Sequence, residues 1–407
     1  MKKVIWIIHQ DASTPKTGMG GRQFYLSEEL TKKGYEVYLI ASSSHHLLRH
    51  KPKFRGVFNI EKVSDFNFVW VKNFDYREAH SKLRVLNWFV FPILIQLLTT
   101  KSLPKPDVVL CSSPSPTSFL GAELLAKRFG SRLVFEVRDI WPLTLIELGG
   151  YSPTHLLIRL FSWIESRAYR VSDKVISNLK NANEHMESHG MHPSKFSWIP
   201  NGYSSAELSL KEDLPREFIR RIPQDKFIVG YAGTVGVANA LDMLIEAADL
   251  IREHEHIHIV IVGTGKEKSK LVELSEHLAL SNISFIEPVP KSQIYSLLEM
   301  FDVCYIGWKN ESLYRFGIGA NKIPEYLISG KPIIHSYSGS CDPIKQCNAG
   351  ISVKAENGEE LATAILKMSS FSSSELFEMG SRGKEEAQIT YSYSSICEKL
   401  INDVLNN

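Results

Sequence analysis

The sequence predicts an α/β protein built of two Rossmann-like domains facing each other across a cleft. Three observations carry this. The 407 residues exceed one ordinary core and suit two domains. Each half opens on the same unit: a β-branched strand, a Gly-containing loop and an amphipathic helix. In the first half these are Val4–Ile8 and Gly18-Met-Gly-Gly-Arg22, and in the second Phe227–Tyr231 and Ala232-Gly-Thr-Val-Gly236. Between the halves, Pro200-Asn201-Gly202 and a polar stretch to Asp225 interrupt the pattern.

In chain order, Val4–Ile8 leads to a helix from about Gln23 to Lys33, with Phe24, Leu26 and Leu30 as apolar positions. Gly34 ends that helix and Val37–Ile40 makes the second strand. Strand, loop, helix and strand within ~35 residues form a βαβ unit, and hence a parallel sheet. Further strands are predicted at Val108–Cys111, Leu133–Val137 and Lys174–Ser177. A Ser/Pro loop, Ser112–Ser118, opens a helix through Arg128, and Leu156, Leu157, Leu160, Phe161 and Ile164 share a face of another. The second half adds strands at Ile257–Val262, Ile283–Ile286, Val303–Ile306 and Ile333–His335, then helical periodicity from about Ser394 to Leu405. The expected domains are 1–200, 201–388 and a final segment 389–407 returning to the first.

Composition narrows the chemistry. Hydrophobic residues at 43% and charged ones at 23% are ordinary for a globular chain. A formal charge of +2 gives no global case for nucleic acid. Five cysteines without a CxxC pair argue for reduced thiols, a cytoplasmic chain and no zinc site. The apolar run after Lys2-Lys3 is short for a signal segment and reads as the first strand. His254-Glu-His256-Ile-His258 runs from a helix end into a strand, where alternation scatters the rings, so no metal is expected there. Neither half completes G-x-G-x-x-G: the first offers Gly18-x-Gly20-Gly21, and in the second Lys266 follows Gly263-Thr-Gly265. This disfavours nicotinamide chemistry.

The most informative stretch is Phe316–Ile334. Gly317 and Gly319 allow close backbone approach, Pro324 suits a first helical turn, and Gly330 ends the helix. Lys322 adds a cation at the helix N-terminus, and Glu325 places a carboxylate one turn on. Cation, helix terminus and carboxylate together suit a nucleoside diphosphate.

Six segments then fall in one order: Gly18-Met-Gly-Gly-Arg22, Glu136-Val-Arg-Asp-Ile-Trp-Pro142, Ile199-Pro-Asn-Gly202, Tyr231-Ala-Gly-Thr-Val-Gly236, Val262-Gly-Thr-Gly-Lys266 and Asn321-Lys-Ile-Pro-Glu-Tyr-Leu-Ile-Ser-Gly-Lys-Pro-Ile333. In them the chain resembles the GT-B family 4 glycosyltransferases, in particular the bacterial surface-polysaccharide branch that includes fucosamine transferases of the WbuB type. The resemblance implies a GT-B fold with a C-terminal helix crossing back. It also implies retaining transfer from a nucleotide-sugar, a UDP-sugar such as UDP-N-acetylfucosamine, to a saccharide or polyprenyl-diphosphate-linked acceptor in O-antigen or capsule assembly. An epimerase or hydrolase on the same fold, or an inactive binding module, is the alternative.

By the same resemblance Glu325 holds the donor ribose and Lys322 the diphosphate, with Gly20, Gly21, Gly233, Gly265, Lys266, Arg315, Gly319 and Asn321 as further donor-side positions. Arg22 braces the Gly20–Gly21 loop. Gly317 stands where the family has the first glutamate of E-x7-E. Arg138 or Asp139 stands where many relatives carry a catalytic histidine, and Glu136 is expected to be structural. With no Asp-x-Asp in the chain, a metal-free mechanism without cofactor is expected, the leaving diphosphate being met by Lys322 before Lys266, Lys309 or Arg315. Residues Arg77–Lys105, basic at both ends of an aromatic and aliphatic run, are expected to contact an anionic membrane surface peripherally.

Overall fold

The structure is a computed structural model and describes residues 2–53, 56–76 and 81–406. It divides into two compact units, Met1–Asn201 with Tyr393–Asn407, and Gly202–Ser392.

The first unit carries eight strands: β1 Val4–Ile8, β2 Glu36–Ser42, β3 Phe58–Val63, β4 Phe66–Val71, β5 Val108–Ser112, β6 Arg132–Val137, β7 Lys174–Ser177 and β8 Phe196–Trp198. Their order across the sheet is β3-β4-β2-β1-β5-β6-β7-β8. Every pairing is parallel except the hairpin β3–β4, an edge the sequence reading did not anticipate. β4 is an apolar run buried on both faces, with Phe66, Phe68, Val69, Trp70 and Val71 all fully buried. The helix Arg22–Lys32 packs Phe24, Tyr25, Leu26 and Leu30 into this core. The C-terminal helix Tyr393–Leu400 adds Tyr393, Ile396, Cys397 and Leu400, with Tyr25 and Tyr393 stacked 5.1 Å apart. That packing explains why the last residues belong to this unit.

The second unit holds β9 Phe227–Ala232, β10 Ile257–Val262, β11 Ile283–Ile286, β12 Val303–Gly307, β13 Ile333–Ser336 and β14 Gly350–Val353, all parallel in the order β11-β10-β9-β12-β13-β14. Buried β-branched runs such as Ile257–Val262 fit a sheet covered on both faces. In both sheets the strand order reverses beside the first strand, between β1 and β5 and between β9 and β12. Loops at the carboxyl ends of strands diverge at such points and leave room for a ligand.

Candidate functional site

At the second unit's reversal point, a short helix, Lys322–Ile328, follows the loop after β12. Tyr326 fixes it to the end of β9: its hydroxyl accepts from Ala232 N at 2.8 Å and donates to Ala232 O at 3.1 Å. Lys322, one turn earlier, is thereby laid across β9. Its Nζ donates to the Tyr231 hydroxyl, lies 3.9 Å from that ring's centroid, and reaches Asn239 Oδ1 at 3.5 Å. The Tyr231 hydroxyl donates in turn to Thr234 O at 2.6 Å. Burial lowers the Lys322 ammonium to about 7, against the opposing pull of Glu325.

Glu325 keeps 22% of its side chain exposed, with Lys291 Nζ 4.0 Å from one oxygen. Lys291 is shared with Glu207 at 2.8 Å. Burial, and secondarily the Glu207 charge, raises the Glu325 carboxyl, while Lys291 and Lys322 oppose this. The result is a carboxylate and an ammonium one turn apart, both short of charge compensation.

The surrounding glycines have separate reasons. A Cβ on Gly233, where φ is +144°, would strike the Lys322 side chain. Gly265 packs directly against Val235 O, so there the glycine serves contact between two loops. Gly317 sits at φ +100°, a conformation that strains a side-chain-bearing residue such as the family's glutamate. Gly319 lies in the loop before the helix, and Asn321 holds the N-cap position without a side-chain capping bond. Of the other expected cations, Lys309 is taken by Asp242 at 3.1 Å and Glu356 at 3.0 Å. Arg315 folds back onto Ser312 O at 2.6 Å and over the Phe316 ring. Lys266 is exposed. Only Lys322 of the four is enclosed at the strand ends.

In the first unit, Gly20 and Gly21 have φ of +67° and +98°, and a Cβ on Gly21 would meet nothing within 4 Å. The Gly21 backbone therefore faces open space. Arg22 does brace this loop: Nε donates to Glu136 Oε1 at 2.7 Å, and the guanidinium also donates to Ile199 O at 2.9 Å and to Pro200 O. Ser112 Oγ donates to Glu136 Oε2 at 2.6 Å, and Gln23 also reaches that oxygen. Burial works to raise the Glu136 carboxyl, but Arg22, then Arg138 and Ser112, hold it below the usual range.

Arg138 and Asp139 do not pair with each other. Asp139 accepts from Trp141 Nε1 at 3.0 Å and Thr144 Oγ1 at 2.7 Å, so both of its oxygens are occupied by its own turn. The Arg138 guanidinium Nη1 lies 3.3 Å from Nε2 of His9, at the end of β1, and the Arg138 backbone N–H donates to Ser113 Oγ at 2.9 Å. Burial, then the Arg138 charge, lowers His9 to about 4, so its neutral ring accepts from Arg138. His9 was missed because a histidine ending a strand has no motif around it.

Comparison with known proteins decides what this arrangement belongs to. Residues 17–207 match the family model described as Glycosyltransferase Family 4, and residues 226–370 the one described as Glycosyl transferases group 1. The protein is a GT-B glycosyltransferase. WcaI of Escherichia coli (strain K12), named for glycosyl transfer in colanic acid biosynthesis, is 26% identical over 298 residues, 71% of this chain and 72% of that one. Sucrose-phosphate synthase (tll1590) from Thermosynechococcus elongatus aligns with a TM-score of 0.72 at 15% identity over 98% of both chains. Anabaena Alr3699/HepE, in complex with UDP and glucose, aligns with a TM-score of 0.68 at 14% identity over both full lengths. These structural likenesses show the fold, so the residue roles in the transferase rest on its own geometry.

The sequence placed Lys322 and Glu325 correctly within one turn, but gave no sign of Tyr231, Asn239 or Lys291 beside them. Those partners come from other elements and share no spacing with the helix. Of the histidines at 254–258, expected to scatter, two stay in edge contact and only His258 points elsewhere. The rings of His254 and His256 are 6.1 Å apart, and His258 bonds Ser284 Oγ at 2.7 Å.

Proposed function

We propose that the transferase moves a sugar, with retention, from a UDP-sugar to a lipid-linked saccharide in assembly of a bacterial surface polysaccharide. The placement of Lys322 carries this reading: an amine held over β9 by a tyrosine, one turn before Glu325, where burial disfavours its charge until an anion arrives. A diphosphate arriving there favours the protonated lysine, and charge growing on the leaving group strengthens that bond at the transition state. Glu325 is positioned to accept from paired ribose hydroxyls. Lys322 and backbone amides, rather than a divalent cation, meet the leaving group. Arg138, with His9 behind it, handles the acceptor side in the first unit. The HepE complex with UDP and the WcaI relationship support donor class and pathway type, and the WbuB branch supplies an aminodeoxyhexose such as N-acetylfucosamine as the donor sugar to test first.

The experiment is a survey of nucleotide-sugars against lipid-linked acceptors, read by product mass, with excess EDTA present and well below the unfolding temperature. Acceptor-dependent UDP release in EDTA is expected. Release without acceptor would indicate a hydrolase, and a strict cation requirement would overturn the cation-free reading.

The same reading places the enzyme at the cytoplasmic membrane face. No described helix is long and apolar enough to cross a membrane. The helix Lys82–Leu94, with Ile95–Leu97 following, exposes Leu83, Leu86, Phe89, Ile93 (67%) and Leu97. Residues 81–106 contain Lys82, Arg84, Lys101 and Lys105 and no Asp or Glu. Arg77 lies outside the described residues. Trp88 of this helix contacts Phe161 of the helix Leu156–Val171, which in turn exposes Leu156 (80%), Leu160 and Trp163. Exposed apolar groups among purely basic ones fit an anionic lipid surface. Flotation with anionic vesicles should show salt-sensitive binding that Ile93→Glu weakens; no binding at low salt would remove the membrane from the proposal.

A further inference from the structure

We propose that Glu165, His185 and His189 form a divalent transition-metal site that clips two helices of the first unit together. Glu165 lies on the helix Leu156–Val171. His185 lies on the helix Ala182–Ser188, and His189 is its C-cap residue. One ligand atom from each lies within 4.8 Å of the others. The four-residue spacing puts both imidazoles on one helix face, and their rings stand 4.1 Å apart. Two imidazole nitrogens and one carboxylate oxygen suit Zn²⁺ and its first-row neighbours, whereas Mg²⁺ and Ca²⁺ prefer oxygen alone.

The neighbouring groups are disposed as outer partners of such a site. His189 Nδ1 lies 2.8 Å from His185 O, and donation there leaves Nε2 with its lone pair available. Tyr169 donates to Glu165 Oε1 at 3.0 Å, the oxygen that His185 Nε2 also meets at 2.8 Å. Oε2 takes no hydrogen bond among the described residues. The Glu165 side chain is only 4% exposed and that of His185 9%. A carboxylate so enclosed needs a cation beside it. Among the described residues its one ion-pair partner is His185, which is charged only when protonated. A divalent ion would supply that charge while both rings stay neutral.

Metal–ligand distances near 2.1 Å bring ligand atoms to about 3.4 Å apart in a tetrahedron. The His189 ring, the most exposed of the three, is the one with room to adjust on binding. The proposal does not depend on the donor reading, whose residues Lys322 and Glu325 lie in the second unit.

The test uses the full-length protein, stripped with EDTA and dialysed, then titrated with Zn²⁺ and, for its visible spectrum, Co²⁺. Saturable one-to-one binding is expected, with a Co²⁺ d–d band and a zinc-dependent rise in unfolding temperature. His189→Ala changes a partly exposed side chain and should leave the fold intact. It should weaken binding by at least the ~10–100-fold that loss of an outer partner costs. His192→Ala, at an exposed position nearby, should bind as the wild type does. Equal binding by wild type and His189→Ala, or no binding by the wild type, would overturn the proposal and leave the three groups as a hydrogen-bonded cluster only.

Discussion

The two units place charged residues at the same topological position and treat them in opposite ways. At the reversal point of the first sheet, Arg22 and Glu136 are both 1% exposed and neutralise each other, with Ser112, Gln23 and two backbone carbonyls completing the bonding. At the reversal point of the second, Lys322 has a neutral tyrosine for its nearest partner and sits about 7, while Glu325 has Lys291 no closer than 4.0 Å. The first arrangement is closed and rigidifies a loop. The second is incompletely compensated, and on the proposed function it gains from a ligand that brings phosphate and hydroxyl groups. Perturbed, incompletely paired groups mark where binding occurs, while a satisfied buried pair marks support.

The largest effect that would sharpen this contrast is on stability. Arg22→Ala leaves Glu136 buried without its partner and should cost about 3–5 kcal/mol in urea unfolding. Lys322→Ala should leave unfolding nearly unchanged. If Arg22→Ala were as stable as the wild type, the first site would not be the closed structural pair described.

Next is turnover. Lys322→Ala should lower kcat by about 10²–10³, the scale for losing one preorganised donor, with a smaller change in UDP affinity. Equal losses for UDP and uridine would mean that Lys322 only shapes the loop. Glu325→Ala should weaken UDP by about 2–3 kcal/mol in calorimetry, the worth of hydrogen bonds to a charged group. Unchanged UDP affinity in a folded variant would remove Glu325 from the nucleotide site.

The smallest effect is on pH. Free Lys322 loses its proton as pH rises through about 7, and a bound diphosphate raises that value. Donor binding should therefore take up a proton above pH 7, and affinity should fall with rising pH until the bound value is passed. Below pH 7 the contribution is complete. Titrations in buffers of different ionisation enthalpy at pH 8 read this directly, and Lys322→Met should abolish it. Proton release instead would reverse the assignment.

Although β3, β4, β8 and β14 went unpredicted, the sequence by itself determined that each unit is built on a largely parallel sheet, placed the ends of the strands it predicted within a residue or two, and gave the helix bearing Lys322 and Glu325. These are local matters of apolar runs, glycines and spacing, and Gly330 at φ +73° ends that helix where the sequence placed its end. Only the tertiary structure decided that Asp139 is bonded by its own turn, that Arg138 turns to His9 from β1, and that Lys309 is bound to Asp242 and Glu356. It also decided that Lys322 lies against Tyr231, 91 residues earlier in the chain. A side chain's availability depends on what other elements bring beside it, and no local pattern encodes a partner that arrives through the sheet.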